Sequence, residues 1–115
     1  MARAMSPLQI IEDGYMGNSV DSSVIDARDL QCVAVQAVYT GTPTGTFTME
    51  GSVDYNTITG VGTWTTIDLG TLSISAAGDT LIDLTNTSIP FLRLHYAFGS
   101  GTGTLQAYAS GKRFN

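Results

Sequence analysis

From Leu30 onward, apolar and polar residues alternate with a period of two, and turn residues interrupt the alternation about every ten positions. Successive side chains of a β-strand point to opposite faces, so this period is typical of strands and not of helices. The clearest segments are LQCVAVQAVY at 30–39, TFTMEGSVDY at 46–55 and FLRLHYAF at 91–98. About eight such segments predict an all-β fold, a single antiparallel β-sandwich that is jelly-roll-like.

One face of these segments is expected to form the core. The segment at 30–39 is apolar on both faces, which is typical of a central strand that is covered on both sides. Cys32 lies within it and is expected to be a buried small hydrophobe; as the single cysteine it cannot form an internal disulfide. The expected core positions are Val33, Val35, Phe47, Met49, Leu92, Leu94 and Leu105.

The 115 residues are enough for one domain, which the pattern divides into an N-terminal arm with the first strand or strands (1–29) and a β-sandwich body (30–115). In the first region, LQIIED at 8–13 predicts a strand and GYMGNSVDSS at 14–23 a loop. GKRFN at 111–115 is expected to be a tail.

The N-terminal region and the tail contain apolar residues that a purely solvated segment would not need. The strand at 8–13 can add to the sheet of its own domain or to the edge of a neighbouring protein, and the second alternative is the one expected here. The candidate interface residues are Leu8, Ile10, Ile11, Tyr15, Met16, Arg113 and Phe114.

Composition argues against several classes of function. Net charge is −5 and the five Lys and Arg residues are scattered, so no basic surface for nucleic acid is expected. No apolar stretch is long enough for a membrane span, and the N-terminus lacks the apolar core of a signal peptide, which indicates synthesis in the cytoplasm.

Catalytic and metal chemistry have little support in the sequence. One His and one Cys provide neither a nucleophile with its base nor a zinc site, so no catalytic residue, metal or cofactor is expected. His95 alternates with Arg93 on a polar face and is expected at the surface or at an interface. Asp21, Asp26 and Asp29 could contribute to a calcium site, although their spacing matches no calcium-binding loop.

Two aromatic residues flank the loop NTITGVG at 56–62, namely Tyr55 and Trp64. Aromatic side chains at such a position can plug the end of a sandwich, stack on a sugar ring or join a protein interface. Both are candidate exposed aromatics.

Three segments in order carry a resemblance: QAVYTGTPTGTFTMEGSVDY, then WTTI, then IPFLRLHYAFGSGTGTLQAYASGK. Together they run from Gln36 to Lys112, and the order and spacing resemble a pattern of small tailed-phage virion proteins. The chain is similar to head decoration (cement) proteins, and its size fits the jelly-roll staple proteins of epsilon-fifteen-type short-tailed phages. The matching positions are interpreted as fold determinants: Pro43, Gly45, Gly51, Trp64, Arg93, Gly101 and Gly103.

The resemblance implies a non-enzymatic β-sandwich on the capsid surface of a virion, which clamps neighbouring coat subunits. The implied partner is the major capsid protein, and a homo-oligomer on the icosahedral lattice is expected. Two alternatives stay open: a carbohydrate- or receptor-binding module on a virion surface, and another minor structural component of the head or tail.

Overall fold

A computed structural model of the chain describes residues 2–85 and 88–114, with side chains for residues 7–85 and 88–112. Within those ranges all regular structure is β, and no helix is long and apolar enough to cross a membrane. The strands are β1 (Ala2–Tyr15), β2 (Val20–Asp21), β3 (Ile25–Asp26), β4 (Cys32–Tyr39), β5 (Thr44–Ser52), β6 (Thr65–Ile74), β7 (Gly78–Leu84), β8 (Phe91–Ser100) and β9 (Thr104–Phe114).

The strands form two antiparallel sheets that pack face to face. The first sheet has the order β1-β9-β4-β7, and the second has the order β2-β8-β5-β6 with β3 also pairing to β8. Because β2 and β3 share one position beside β8, the strands fill the eight positions of a jelly roll. The predicted antiparallel, jelly-roll-like β-sandwich is therefore confirmed.

The core lies between the two sheets. All seven predicted core positions are buried, and none has more than 1% of its surface exposed. Tyr39, Phe47 and Tyr96 form the aromatic centre of the core, with ring centroids 5.4–5.6 Å apart along the series. Burial also raises the pKa of Tyr96, because the charged phenolate would lose its hydration.

Strand β4 is central but is covered on one face only. Val33, Val35 and Ala37 point into the core, whereas Val38 on the opposite face is exposed. The expectation of cover on both faces is wrong for the chain by itself, since no element of the described chain packs over that face. The expectation for Cys32 is also wrong: it is only half-buried, because it starts the strand on the outward face.

The two ends of the chain pair with each other at one edge of the first sheet. Strand β1 pairs with β9 along its length, and Arg3 and Ala2 lie opposite Arg113 and Phe114. The expected tail at 111–115 is therefore strand as far as Phe114, while Asn115 lies outside the described residues. Composition concealed this strand because its glycine and charged residues are typical of a tail.

Two of the connections that cross between the sheets lie side by side. The β4–β5 turn and the β8–β9 turn are joined by a hydrogen bond from Thr42 N to Thr102 O of 2.8 Å. Gly101 has φ +80°, and a Cβ there would collide with the carbonyl of Thr42. We call this paired turn the glycine clasp. It accounts structurally for two of the motifs that carry the resemblance, GTPTGT and GSGTGT.

Candidate binding surfaces

Four ionisable side chains from three strands meet on the outer face of the second sheet. Arg93 donates from Nε to Glu50 Oε1 at 2.6 Å, and its Nη1 lies 4.0 Å from Asp21 Oδ2. His95 Nδ1 lies 2.5 Å from Asp21 Oδ1. The register explains this meeting, because Glu50 is opposite Arg93 and Asp21 is opposite His95. We call these four residues the ionic network.

Three members of the ionic network have the chemistry of metal ligands. Asp21, Glu50 and His95 each offer a ligand atom, and these atoms lie within 4.8 Å of one another. However, the guanidinium of Arg93 already pairs with Glu50 and adds a permanent positive charge beside the three groups, which opposes a cation. The arrangement is better described as an Arg93–Glu50 ion pair beside Asp21, whose carboxylate also contacts His95. Of the aspartates considered in sequence for calcium, it includes only Asp21.

Aromatic rings continue this surface toward one end of the sandwich. The ring of Tyr55 lies between those of Trp64 and Phe91, with centroid distances of 5.5 and 5.1 Å. Arg93 Cζ lies 4.5 Å from the centroid of Trp64. Arg93 therefore connects the aromatic group to the ionic network, through a cation–π contact on one side and an ion pair on the other.

Arg28 covers the far side of this aromatic group. Its Cζ lies 5.3 Å from the centroid of Phe91, and its Nη2 pairs with Asp26 Oδ2 at 2.6 Å. The hydrogen bonds from Arg28 lower the pKa of Asp26 against a smaller opposing effect of burial. Phe91 is consequently buried although it lies on the outer face.

The outer face of the first sheet has a different character. Leu81, Val38 and Tyr108 are 66%, 41% and 38% exposed, and the residues between them are small or uncharged. Shallow cavities of about 430 and 160 Å³ cross this face. Charged side chains lie at its borders, from β7 on one side and β9 on the other. We call it the first-sheet face; its residues are Cys32, Ala34, Gln36, Val38, Leu81, Tyr108 and Ser110.

The loop between β5 and β6 forms the third surface, which we call the end loop (53–63). Asn56 organises its tip: its Oδ1 accepts hydrogen bonds from Ile58 N and Thr59 N, and its carbonyl accepts one from Gly60 N. Three large apolar residues of the loop are exposed, namely Ile58 (93%), Val53 (79%) and Val61 (68%).

Asp54 fixes the base of the end loop. Its Oδ1 accepts hydrogen bonds of 2.8 Å from Thr63 N and from Ser52 Oγ. These bonds, that from the Thr63 backbone above all, lower the pKa of Asp54. An apolar cavity of about 600 Å³ opens beside this base and is lined by residues of β5, β6, the loop and the segment before β8: Gly51, Ser52, Val53, Asp54, Thr63, Thr65, Thr66, Ile67 and Ile89.

No family model and no curated protein matches the sequence. Among solved structures, the SPBc2 prophage-derived protein YomS overlays with a TM-score of 0.65 at 8% identity, over 96% of both chains. The chitosan-binding module 1 of a chitosanase/glucanase from Paenibacillus sp. IK-5 overlays with a TM-score of 0.52 at 17% identity, over 95% of this chain and 92% of that one. A chain of infectious bursal disease virus Gx strain overlays with a TM-score of 0.51 at 11% identity, over 97% of this chain and 32% of that one. At these identities the likeness shows the fold alone.

The predicted interface residues separate into two groups. Ile10, Ile11 and Met16 are 3%, 6% and 0% exposed, so the prediction that they contact a partner is wrong: they belong to the core. Leu8 and Tyr15 are 48% and 58% exposed and stay candidates. Arg113 and Phe114 lie in β9, and their side chains are outside what the structure describes.

Trp64 and Tyr55 do flank the loop at 56–62, as the sequence indicates, but both are half-buried and contact each other. Sequence reasoning missed Leu81, Val38 and Ile58 as surface residues. The signal for Val38 was present in the segment at 30–39, whose two apolar faces indicate that something covers the second face. Ile58 gave no such signal, because an isoleucine between threonines is equally compatible with a buried turn.

Proposed function

We propose that this chain is a non-enzymatic structural protein of a phage virion that decorates the capsid by bridging neighbouring coat subunits. The observation that carries this proposal is the first-sheet face. It belongs to a central strand with two apolar faces, of which the chain itself covers one. Exposed apolar side chains that are grouped on one face and bordered by polar residues are typical of an interaction site.

The composition of the first-sheet face favours a protein as its partner. Leu81 and Tyr108 supply apolar contact area, whereas the glutamine and serine side chains between them can form hydrogen bonds at low desolvation cost. Charges at the border and an uncharged centre are typical of protein interfaces. A coat subunit as the partner is supported by the resemblance to decoration proteins and agrees with the full-length overlay on a prophage-derived protein.

A sandwich of this size offers each neighbour a modest area, so a single contact is expected to be weak. Simultaneous contact with several coat subunits raises the overall affinity without requiring any new type of interaction. This reasoning favours a position between subunits of a symmetric lattice.

The direct test is quantitative mass spectrometry of purified virions, followed by co-sedimentation of the isolated protein with capsids that lack it. Leu81→Glu replaces the most exposed apolar side chain of the first-sheet face with a charge and should abolish co-sedimentation. Ser73→Glu is the matched control, because Ser73 is exposed on the second sheet and the change in charge is the same.

We expect hundreds of copies in each virion and normal binding by the control variant. A copy number of only a few would point instead to a vertex or tail component. Wild-type binding by Leu81→Glu would refute docking through the first-sheet face.

Glycan binding is the second candidate, and the aromatic group on the second sheet favours it. Tyr55 and Trp64 lie beside two carboxylates and a guanidinium, a combination that can stack on a sugar ring and bind its hydroxyl groups. The fold is shared with a chitosan-binding module. A glycan array with wild-type protein and Trp64→Ala tests this candidate, and binding that Trp64→Ala leaves intact would remove the aromatic group as the site.

A further inference from the structure

We propose that two copies of this chain associate through the end loop, so that the tip of each loop occupies the apolar cavity at the base of the other. The proposal concerns the isolated protein and does not depend on the proposed capsid role. It starts from the exposure of Ile58, which is the most exposed large apolar side chain among the described residues. Because this side chain is almost entirely in solvent, it contributes little to the packing of its own loop.

The tip of the end loop is built to stay in place. Asn56 accepts three hydrogen bonds within the turn, and Asn56 and Val61 form a β-bridge across it. A side chain on a preorganised loop loses little conformational freedom on binding, so more of its apolar contact appears as affinity. Ile58 and Val61 are therefore presented as a fixed apolar knob.

The cavity at the base of the loop complements this knob. Its volume of about 600 Å³ exceeds what one aliphatic side chain fills, and Ile67 and Ile89 supply apolar walls. Gly51 keeps its wall open, since a Cβ at this position would lie 2.8 Å from Ile89 Cγ2. The opening therefore suits branched aliphatic side chains.

A second copy is the occupant because the knob and the cavity lie on the same end of one molecule. Two end loops placed antiparallel under a two-fold axis would put each tip beside the base of the other, which is the self-complementary arrangement of an isologous dimer. Charge permits this contact despite the net charge of −5, because Asp54 is the single residue of the loop that is charged at neutral pH. Its carboxylate is held by Thr63 and Ser52 at the wall of the cavity, where in this arrangement it would face the uncharged tip of the other copy.

The same composition argues against a lipid surface as the occupant. Loops and helices that insert at a membrane interface combine apolar residues with Lys or Arg for anionic headgroups. The end loop has neither residue type.

Sedimentation equilibrium over a concentration series is the first test. Wild-type protein should show a reversible monomer–dimer equilibrium, and Ile58→Asp should be monomeric over the whole series. Thr57→Asp is the control, since it adds the same charge to the adjacent exposed position without removing an apolar side chain. Equal thermal midpoints for the three proteins, at a concentration where the wild type is monomeric, would show that folding is unchanged. A monomeric wild type, or dimerisation by Ile58→Asp, would overturn the proposal.

Disulfide cross-linking tests the geometry. In a Cys32→Ser background, a protein with Ile58→Cys is mixed with one carrying Thr65→Cys at the cavity. A disulfide-linked heterodimer should form under mild oxidation, and Ser73→Cys in place of Thr65→Cys should give none. Equal yields from both mixtures would place the dimer contact elsewhere and overturn the arrangement.

Discussion

Asp54 shows how a single exposed side chain can fix the conformation of a loop. Its carboxylate joins Ser52 at the end of β5 to Thr63 before β6, and the lowered pKa follows from these hydrogen bonds. A carboxyl whose pKa is lower in the folded state stabilises the fold at a pH above its unfolded value. That contribution is lost as the pH falls through the folded value.

We therefore predict an acid-sensitive end loop. Amide hydrogen exchange at Thr63 should be slow near neutral pH and should lose its protection as the pH falls below 3.8, the ordinary pKa of an aspartate. Asp54→Asn should remove this pH dependence, because the amide side chain does not titrate. The same loss of protection in the Asp54→Asn variant would assign the effect to another group.

The burial of a leucine determines how much its truncation to alanine lowers the free energy of unfolding. Leu94 is fully buried between the sheets, so Leu94→Ala should reduce the free energy of unfolding by about 2–5 kcal/mol in chemical denaturation. Leu81→Ala is the matched control: the same atoms are removed from a side chain that is 66% exposed, and a change within about 0.5 kcal/mol is expected. Similar costs at both positions would contradict the assignment of faces.

At the level of elements, β1 shows where local patterns fail. Ile10 and Ile11 are adjacent and yet both are buried, which regular alternation forbids. The pairing with β9 shifts register between Gln9 and Ile11 and again before Gly14. Asp13 has φ 51° in this stretch, and Gln106 of β9 accepts a hydrogen bond from its amide. The irregularity thus depends on a residue far away in sequence.

Deleting residues 1–12 should lower the thermal midpoint sharply, because it removes Ile10 and Ile11 from the core and exposes the edge of β9. The double substitution Ile10→Ala and Ile11→Ala should reproduce much of this loss with the strand backbone retained, whereas Leu8→Ala should have little effect. A thermal midpoint that is unchanged by the deletion would indicate that β1 is a separate docking arm.

Strands with clean alternation were predictable from the sequence, as were the burial of their inward residues and the polar face that Arg93 and His95 share. The residues that contact Arg93 and His95 on that face were not predictable. Asp21 reaches His95 because the two-residue strand β2 pairs with β8. The next residue, Ser22, accepts a hydrogen bond from Leu94 N through its side chain. Such a short strand has no periodicity of its own. The ionic network depends on a pairing of this kind more than the core does.

For the whole molecule, the two sheets present surfaces of opposite character. The second sheet carries the ionic network, and the first-sheet face is nearly uncharged at its centre. Salt screens interactions between exposed charges but leaves apolar contacts in place. Capsid co-sedimentation through the first-sheet face should therefore be retained at high salt. Binding that is lost between low and high salt would indicate that the capsid contact is made by the ionic network instead.

The glycine clasp has a consequence for how long the molecule stays folded. Its two turns are distant in sequence and meet only when both sheets are assembled, so its contacts should form after the rate-limiting step of folding. Contacts absent from the transition state slow unfolding without accelerating folding. The clasp should therefore slow unfolding more than it accelerates folding, a property that would suit the proposed role in a particle that is assembled once.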